Sequence, residues 1–159
     1  MTEPSERSMV LGLSGRAVVV VGGVLLAATI FLPWYSVSLA SGAGHVSGIA
    51  LSGKAPELGV LPAIGLAAAM AGAVIGRVPR ALRDSIAGPG AVALGLVGLA
   101  VTLEVAVRLN QTMQNLYGTS FWDAAALGWY VAMLGGFLIL AAGILRVVVP
   151  AERFAPAAA

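Results

Sequence analysis

The stretch TLEVAVRLNQ, residues 102–111, sets a carboxylate and a guanidinium four residues apart in a strongly apolar run, at Glu104 and Arg108. On a helix these two side chains share a face, with Glu first, the order that favours attraction. Two kinds of chemistry fit such a pair. One is a substrate- or proton-binding carboxylate held by an arginine inside a membrane. The other is an ion pair at the membrane boundary whose long side chains reach water. Which applies depends on depth, so the elements that carry the pair come first.

The 159-residue chain is 59% hydrophobic and 10% charged, with a mean hydropathy of +0.96. Soluble domains carry about 25% charged residues, so this composition reads as an integral membrane protein. The net charge of +2 gives no reason to expect nucleic acid as a partner. With no cysteine, thiolate metal sites, Fe–S clusters and disulfides are excluded.

Four apolar runs approach the ~20 residues a helix needs to cross the hydrocarbon: residues 16–35, 57–76, 86–108 and 124–149. The first run is longer than the apolar core of a cleaved signal peptide and is read as a retained helix. Arg7, Arg16, Arg77, Arg80, Arg83, Arg146 and Arg153 would lie on one side, against Lys54 and Arg108 on the other. Positive residues stay inside. The expected protein is therefore a multi-pass cell-membrane protein with both termini cytoplasmic: an N-terminal tail at 1–15, an inner loop at 77–85, outer loops at 36–56 and 109–123, and a disordered tail at 150–159. Trp34, Tyr35, Trp122 and Trp129 read as interfacial anchors, and Asp123 as the N-cap of the last helix.

Counting from Ile86, Glu104 lies ~27 Å along the third helix, near the outer edge of the hydrocarbon, which favours the boundary ion pair. The expected midplanes, near Ala27, Ala67, Leu96 and Gly136, carry no ionisable side chain; hydroxyls such as Thr29 and Thr102 are the polar groups at depth. A charge-coupled transporter is disfavoured on that ground. The lone histidine, His45, reads as a solvated loop residue, and a histidine-based metal or haem site is not expected. No cofactor is expected. An enzyme is disfavoured too, since the chain hardly has the residues for a nucleophile and base.

Small residues carry the positive signal. Gly72 and Gly76, Gly95 and Gly98, and Gly136 and Gly143 supply small faces through which apolar helices associate in lipid. Pro62 and Pro89 read as residues of first turns. In the first outer loop, Val37 and Leu39, then Ile49 and Leu51, alternate with small residues around SGAG, which suggests a β-hairpin resting on the bundle or a partner. Asn110 and Thr112 form an N-x-T pattern, of consequence only in a host that glycosylates such sites.

The fold class expected is thus an all-α, four-transmembrane-helix antiparallel bundle with a small extracytoplasmic hairpin. FLPWYSV, VSGIALSG, PELGVLPAIGLAAAMAGAVIG and ALGWYVAMLGGFLILAAGIL together resemble the actinobacterial tryptophan-associated membrane proteins. That resemblance implies a four-helix fold and transfers no catalytic residue. Two functions remain open. One is an accessory or scaffold subunit that packs on a larger membrane protein, or on further copies of itself, through Gly/Ala faces and outer loops. The other is a carrier of a lipid or hydrophobic ligand in an outward-facing pocket near Glu104 and Arg108, lined also by Trp34 and Trp129.

Overall fold

The computed structural model describes residues 4–39, 42–52 and 56–148. The tail at 150–159 and Lys54 lie outside them. The chain runs α1 (Pro4–Ala28), a 3-10 turn (Thr29–Phe31), β1 (Pro33–Leu39), β2 (Gly42–Ser47), α2 (Gly48–Ser52), a 3-10 turn (Pro56–Gly59), α3 (Val60–Val74), a 3-10 turn (Ile75–Arg77), α4 (Arg80–Tyr117), α5 (Phe121–Ala124) and α6 (Leu127–Val148). Three helical segments are long and apolar enough to cross a membrane: Glu57–Arg77, Ser85–Asn115 and Leu127–Val148. The apolar part of α1, Gly15–Phe31, is shorter. Most of the segment expected as an N-terminal tail is helical, because α1 starts at Pro4.

Packing is set by glycines at close helix approaches. A methyl group on Gly23 would stand 2.5 Å from the Gly65 carbonyl oxygen, and one on Gly65 would stand 2.5 Å from the backbone of Gly23 and Ala27. So α1 and α3 meet backbone to backbone. Gly22 and Gly135 do the same for α1 and α6 at 2.8 Å. Of the glycines expected to pack helices, Gly72 faces Val20, Gly95 faces Leu140, Gly98 faces Leu26, Gly136 faces Leu99 and Gly143 faces Val92. Those five are spent inside the chain. Gly76 differs, lying beneath the Arg16 guanidinium.

The two hydroxyls at depth are satisfied by their own helices. Thr29 Oγ1 donates to the Leu26 carbonyl and Thr102 Oγ1 to the Gly98 carbonyl, each at 2.7 Å, and both residues are fully buried. Back-bonding of this kind removes the cost of a buried hydroxyl without any ligand.

The hairpin is present, with a different second strand from the one expected. Tyr35 pairs with Val46, Ser36 with His45 and Leu39 with Gly42. Ile49 and Leu51 belong instead to α2. Pairing stops at Ser47 because Gly48 tucks against the Ile30 backbone and the Trp34 ring, donating its N–H to the Leu32 carbonyl at 3.2 Å. His45 is an exposed strand residue rather than a loop residue, with its Nδ1 2.9 Å from Ser36 Oγ. The hairpin rests on the helices: Ala126 N donates to the Trp34 carbonyl at 2.9 Å, and Tyr35 bridges to Ala125.

Helix α4 is longer than expected at both ends. The inner loop shrinks to Val78 and Pro79, with Arg83 N donating to the Pro79 carbonyl at 2.9 Å. Pro89, expected in a first turn, therefore sits in the helix interior, where its missing N–H leaves the Ser85 carbonyl without its helical donor. At the other end NQTMQN is helical because Leu109 and Met113, four residues apart, are buried on one face with Val105 and Ala106. The helix stops at Gly118, whose φ of +65° closes the last turn through its N–H and the Gln114 carbonyl. The last helix starts at Leu127 rather than 124. Asp123 is not its N-cap: it lies in α5, whose cap is Ser120, accepting from Trp122 N at 3.2 Å.

Candidate ion-pair site at the hairpin end

Glu104 and Arg108 meet as their spacing implies, with Arg108 Nε donating to Glu104 Oε1 at 2.8 Å. A third residue joins them from 51 positions away. Arg108 Nη1 donates to Glu57 Oε1 at 2.6 Å, tying the start of α3 to the side of α4. Glu57 opens the Glu57–Arg77 span. At 1.5 Å per residue those 21 residues cover ~31 Å, a whole hydrocarbon thickness, so Glu57 marks one boundary of the span and Arg77 the other. Arg108 is level with that boundary by virtue of its partner, although α4 continues nine residues beyond it.

The side chains of Arg108, Glu104 and Glu57 are 55%, 53% and 27% exposed. At such exposure solvent screens the attraction, so the cluster positions α3 against α4 more than it stabilises them. One atom stands apart: Glu57 Oε2 is buried and accepts no hydrogen bond among the described residues.

Behind this cluster lies an apolar joint. Trp34 is fully buried, not at the interface as expected, because Pro33 ends the helix and β1 turns the ring back between Gly48 and Gly128. Its Nε1 donates to the Thr29 carbonyl at 3.0 Å. Tyr35 is only partly buried and packs on the same core. Phe121, fully buried, is held by Asn110: Oδ1 of Asn110 accepts from Phe121 N at 3.0 Å and from Ser120 Oγ at 3.1 Å. The N-x-T pattern thus lies in a helix, with its Asn engaged. Trp122 is 48% exposed and Trp129 partly buried, with edge-to-face contacts linking Trp122, Trp129 and Tyr130. Trp129 Nε1 is buried without an acceptor.

The structure therefore unites Glu104 and Arg108, adds Glu57, and moves Trp34 into the core. Glu57 was readable as the start of a span, but its pairing joins distant segments and leaves no local signal. Among the described residues no group of three metal-binding side chains occurs. A furrow of about 490 Å³ lies in the other half of the molecule, between Pro89, Val92 and Leu96 of α4 and Ile144, Val147 and Val148 of α6. Its lining is almost wholly apolar.

Three helices of membrane-spanning length and apolarity define the class, a helical protein fitted to a bilayer. Comparison with known proteins takes this no further: no family model, no curated protein and no solved structure matches the chain.

Proposed function

We propose that the chain is a multi-pass membrane protein in which the apolar part of α1 forms a fourth span, with both termini cytoplasmic and the hairpin outside. Its role on this reading is that of an accessory or scaffold subunit on a larger membrane protein, with no catalytic activity and no cofactor. Membership of the tryptophan-associated membrane proteins belongs to the same proposal. Orientation is supported by Arg16, Arg77, Arg83 and Arg146, which share the end away from the hairpin. Fourth-span character is supported by the close seating of α1 between α3 and α6 through Gly22 and Gly23.

The observation that carries the subunit reading is the outward face of α3. The packing glycines are occupied inside the chain, yet Ala63, Ala67 and Ala71, at successive i+4 positions, are all exposed. Leu66, Met70 and Val74 flank them, 57%, 64% and 48% exposed. Close helix approach in lipid needs such a flat small-residue face. The test is gentle extraction of the tagged protein with a photo-crosslinking residue at Ala67 or, as comparison, at Leu134 of α6, also exposed. A stoichiometric larger membrane protein captured from Ala67 and not from Leu134 is the expected result. A lone chain from both positions sinks the reading.

A second reading, a carrier of a lipid or other hydrophobic ligand, draws support from the unpaired buried Glu57 Oε2 beside Arg108. On that reading Glu104→Gln abolishes ligand co-purification. On the subunit reading it changes assembly little, because the exposed Glu57–Arg108 link remains. Lipid and small-molecule mass spectrometry of the purified variant separates the two.

A further inference from the structure

At the end away from the hairpin, two guanidinium groups are seated on glycines. The Arg16 backbone lies beside Gly72, and its side chain runs a turn along α3 until Nη1 stands where a methyl group on Gly76 would come within 2.5 Å. Arg77, the next residue, is exposed and closes the Glu57–Arg77 span. Arg146 of α6 leans onto α1 one residue before Arg16, with Nε 3.6 Å from a methyl position on Gly15.

Three features make this an anion seat rather than a solvated rim. Arg16 is half-buried, and neither it nor Arg77 makes a hydrogen bond or ion pair among the described residues. The cations gather where two spans end, at Arg77 and Val148, which is the depth of headgroup phosphates. Opposing charge is sparse: Asp84 follows in the early part of α4, and Glu6 lies ten residues, roughly 15 Å, further down α1. The last carbonyls of α3 favour a cation at Gly76 but occupy only part of a guanidinium's five donors.

We propose that Arg16 and Arg77 clamp the phosphate of an anionic phospholipid, whose acyl chains lie along the α1–α3 seam. Arginine suits this because its planar fork meets two phosphate oxygens at once and is weakly hydrated, so little is lost on leaving water. The site needs the membrane placement proposed above, though neither the orientation nor the subunit role.

The test is native mass spectrometry of the full-length protein from detergent micelles doped with phosphatidylglycerol or with phosphatidylcholine. Retained phosphatidylglycerol is expected, and Arg16→Gln/Arg77→Gln should lower it roughly tenfold, the loss of about one charge-assisted contact. Phosphatidylcholine should be retained weakly by both proteins. Gly76→Leu keeps every charge but displaces Arg16, and should reduce retention as well. Helix content by circular dichroism confirms that each variant is folded. Equal retention of the two lipids, an unaffected folded double variant, or an unaffected Gly76→Leu overturns the clamp. Displacement by excess inorganic phosphate also overturns it, in favour of a free anion. A protein that fails to fractionate with membranes fails earlier, at the membrane placement itself.

Discussion

Gly65→Val is expected to unlock α1 from α3 and to abolish a cooperative thermal transition in detergent. The neighbours a new Cβ would meet, Gly23 O and Ala27 N at 2.5 Å, are backbone atoms of a continuous helix. A side chain can rotate away; a helix backbone moves only as a unit. Overpacking in cores that can adjust costs roughly 1–3 kcal/mol, and here the cost lies at or above the top of that range. Separation of the two helices would also open the contact from the other side, since Gly23 meets Gly65 and Ala69 reciprocally. Gly90 provides the comparison, with nothing within 4 Å of its Cβ position. Gly90→Ala should leave the transition in place or raise stability by about 0.5–1 kcal/mol through helix propensity. A Gly65→Val protein that melts like the parent would show that the α1–α3 approach is looser than described.

The second large effect is expected at Trp34. Its ring fills the junction of α1, β1, α2 and α6, wholly out of solvent. Trp34→Ala removes that volume and should cost ~3–5 kcal/mol, loosening the hairpin and the start of α6 together. Trp34→Phe should be much milder. It keeps most of the apolar volume and loses the hydrogen bond to the Thr29 carbonyl, worth about 0.5–1.5 kcal/mol. That carbonyl is not orphaned, because Leu32 N still donates to it at 3.2 Å. Thermal melts followed by near-UV circular dichroism distinguish the pair. Equal losses for Ala and Phe would mean that the indole N–H, not the bulk, holds the joint.

How much of this was legible follows from what the solvent enforces. The spans at Glu57–Arg77 and Leu127–Val148 were readable because hydrocarbon requires a long apolar run wherever a helix crosses. The Glu104–Arg108 pair was readable because helical spacing is local. Errors fell where polarity stood in for irregular structure. NQTMQN looked like a loop, yet Leu109 and Met113 bury one face of it while Thr112 Oγ1 bonds back to the Arg108 carbonyl. RVPRALRD looked like a connection, yet Pro79 merely starts a helix. Trp34 looked like an anchor because a Trp after an apolar run so often is one; its burial depends on Gly48 and Gly128, far along the chain. The partnership of Glu57 with Arg108 is a matter of tertiary contact alone.

Helix α4 joins two unlike ends. Near the hairpin it is cross-braced by Glu57, Asn110 and the Leu109–Met113 face, so that part of the rod has a fixed height relative to α3. Near the arginines its ladder is interrupted at Pro89, and the turns from Arg80 to Gly88 join the shaft without the usual rung. A bilayer that thins or thickens loads a rigid span along its length. In this chain the strain runs to the unbraced articulation at Pro89, which lets the arginine collar follow the lipid surface while the capped end keeps its level.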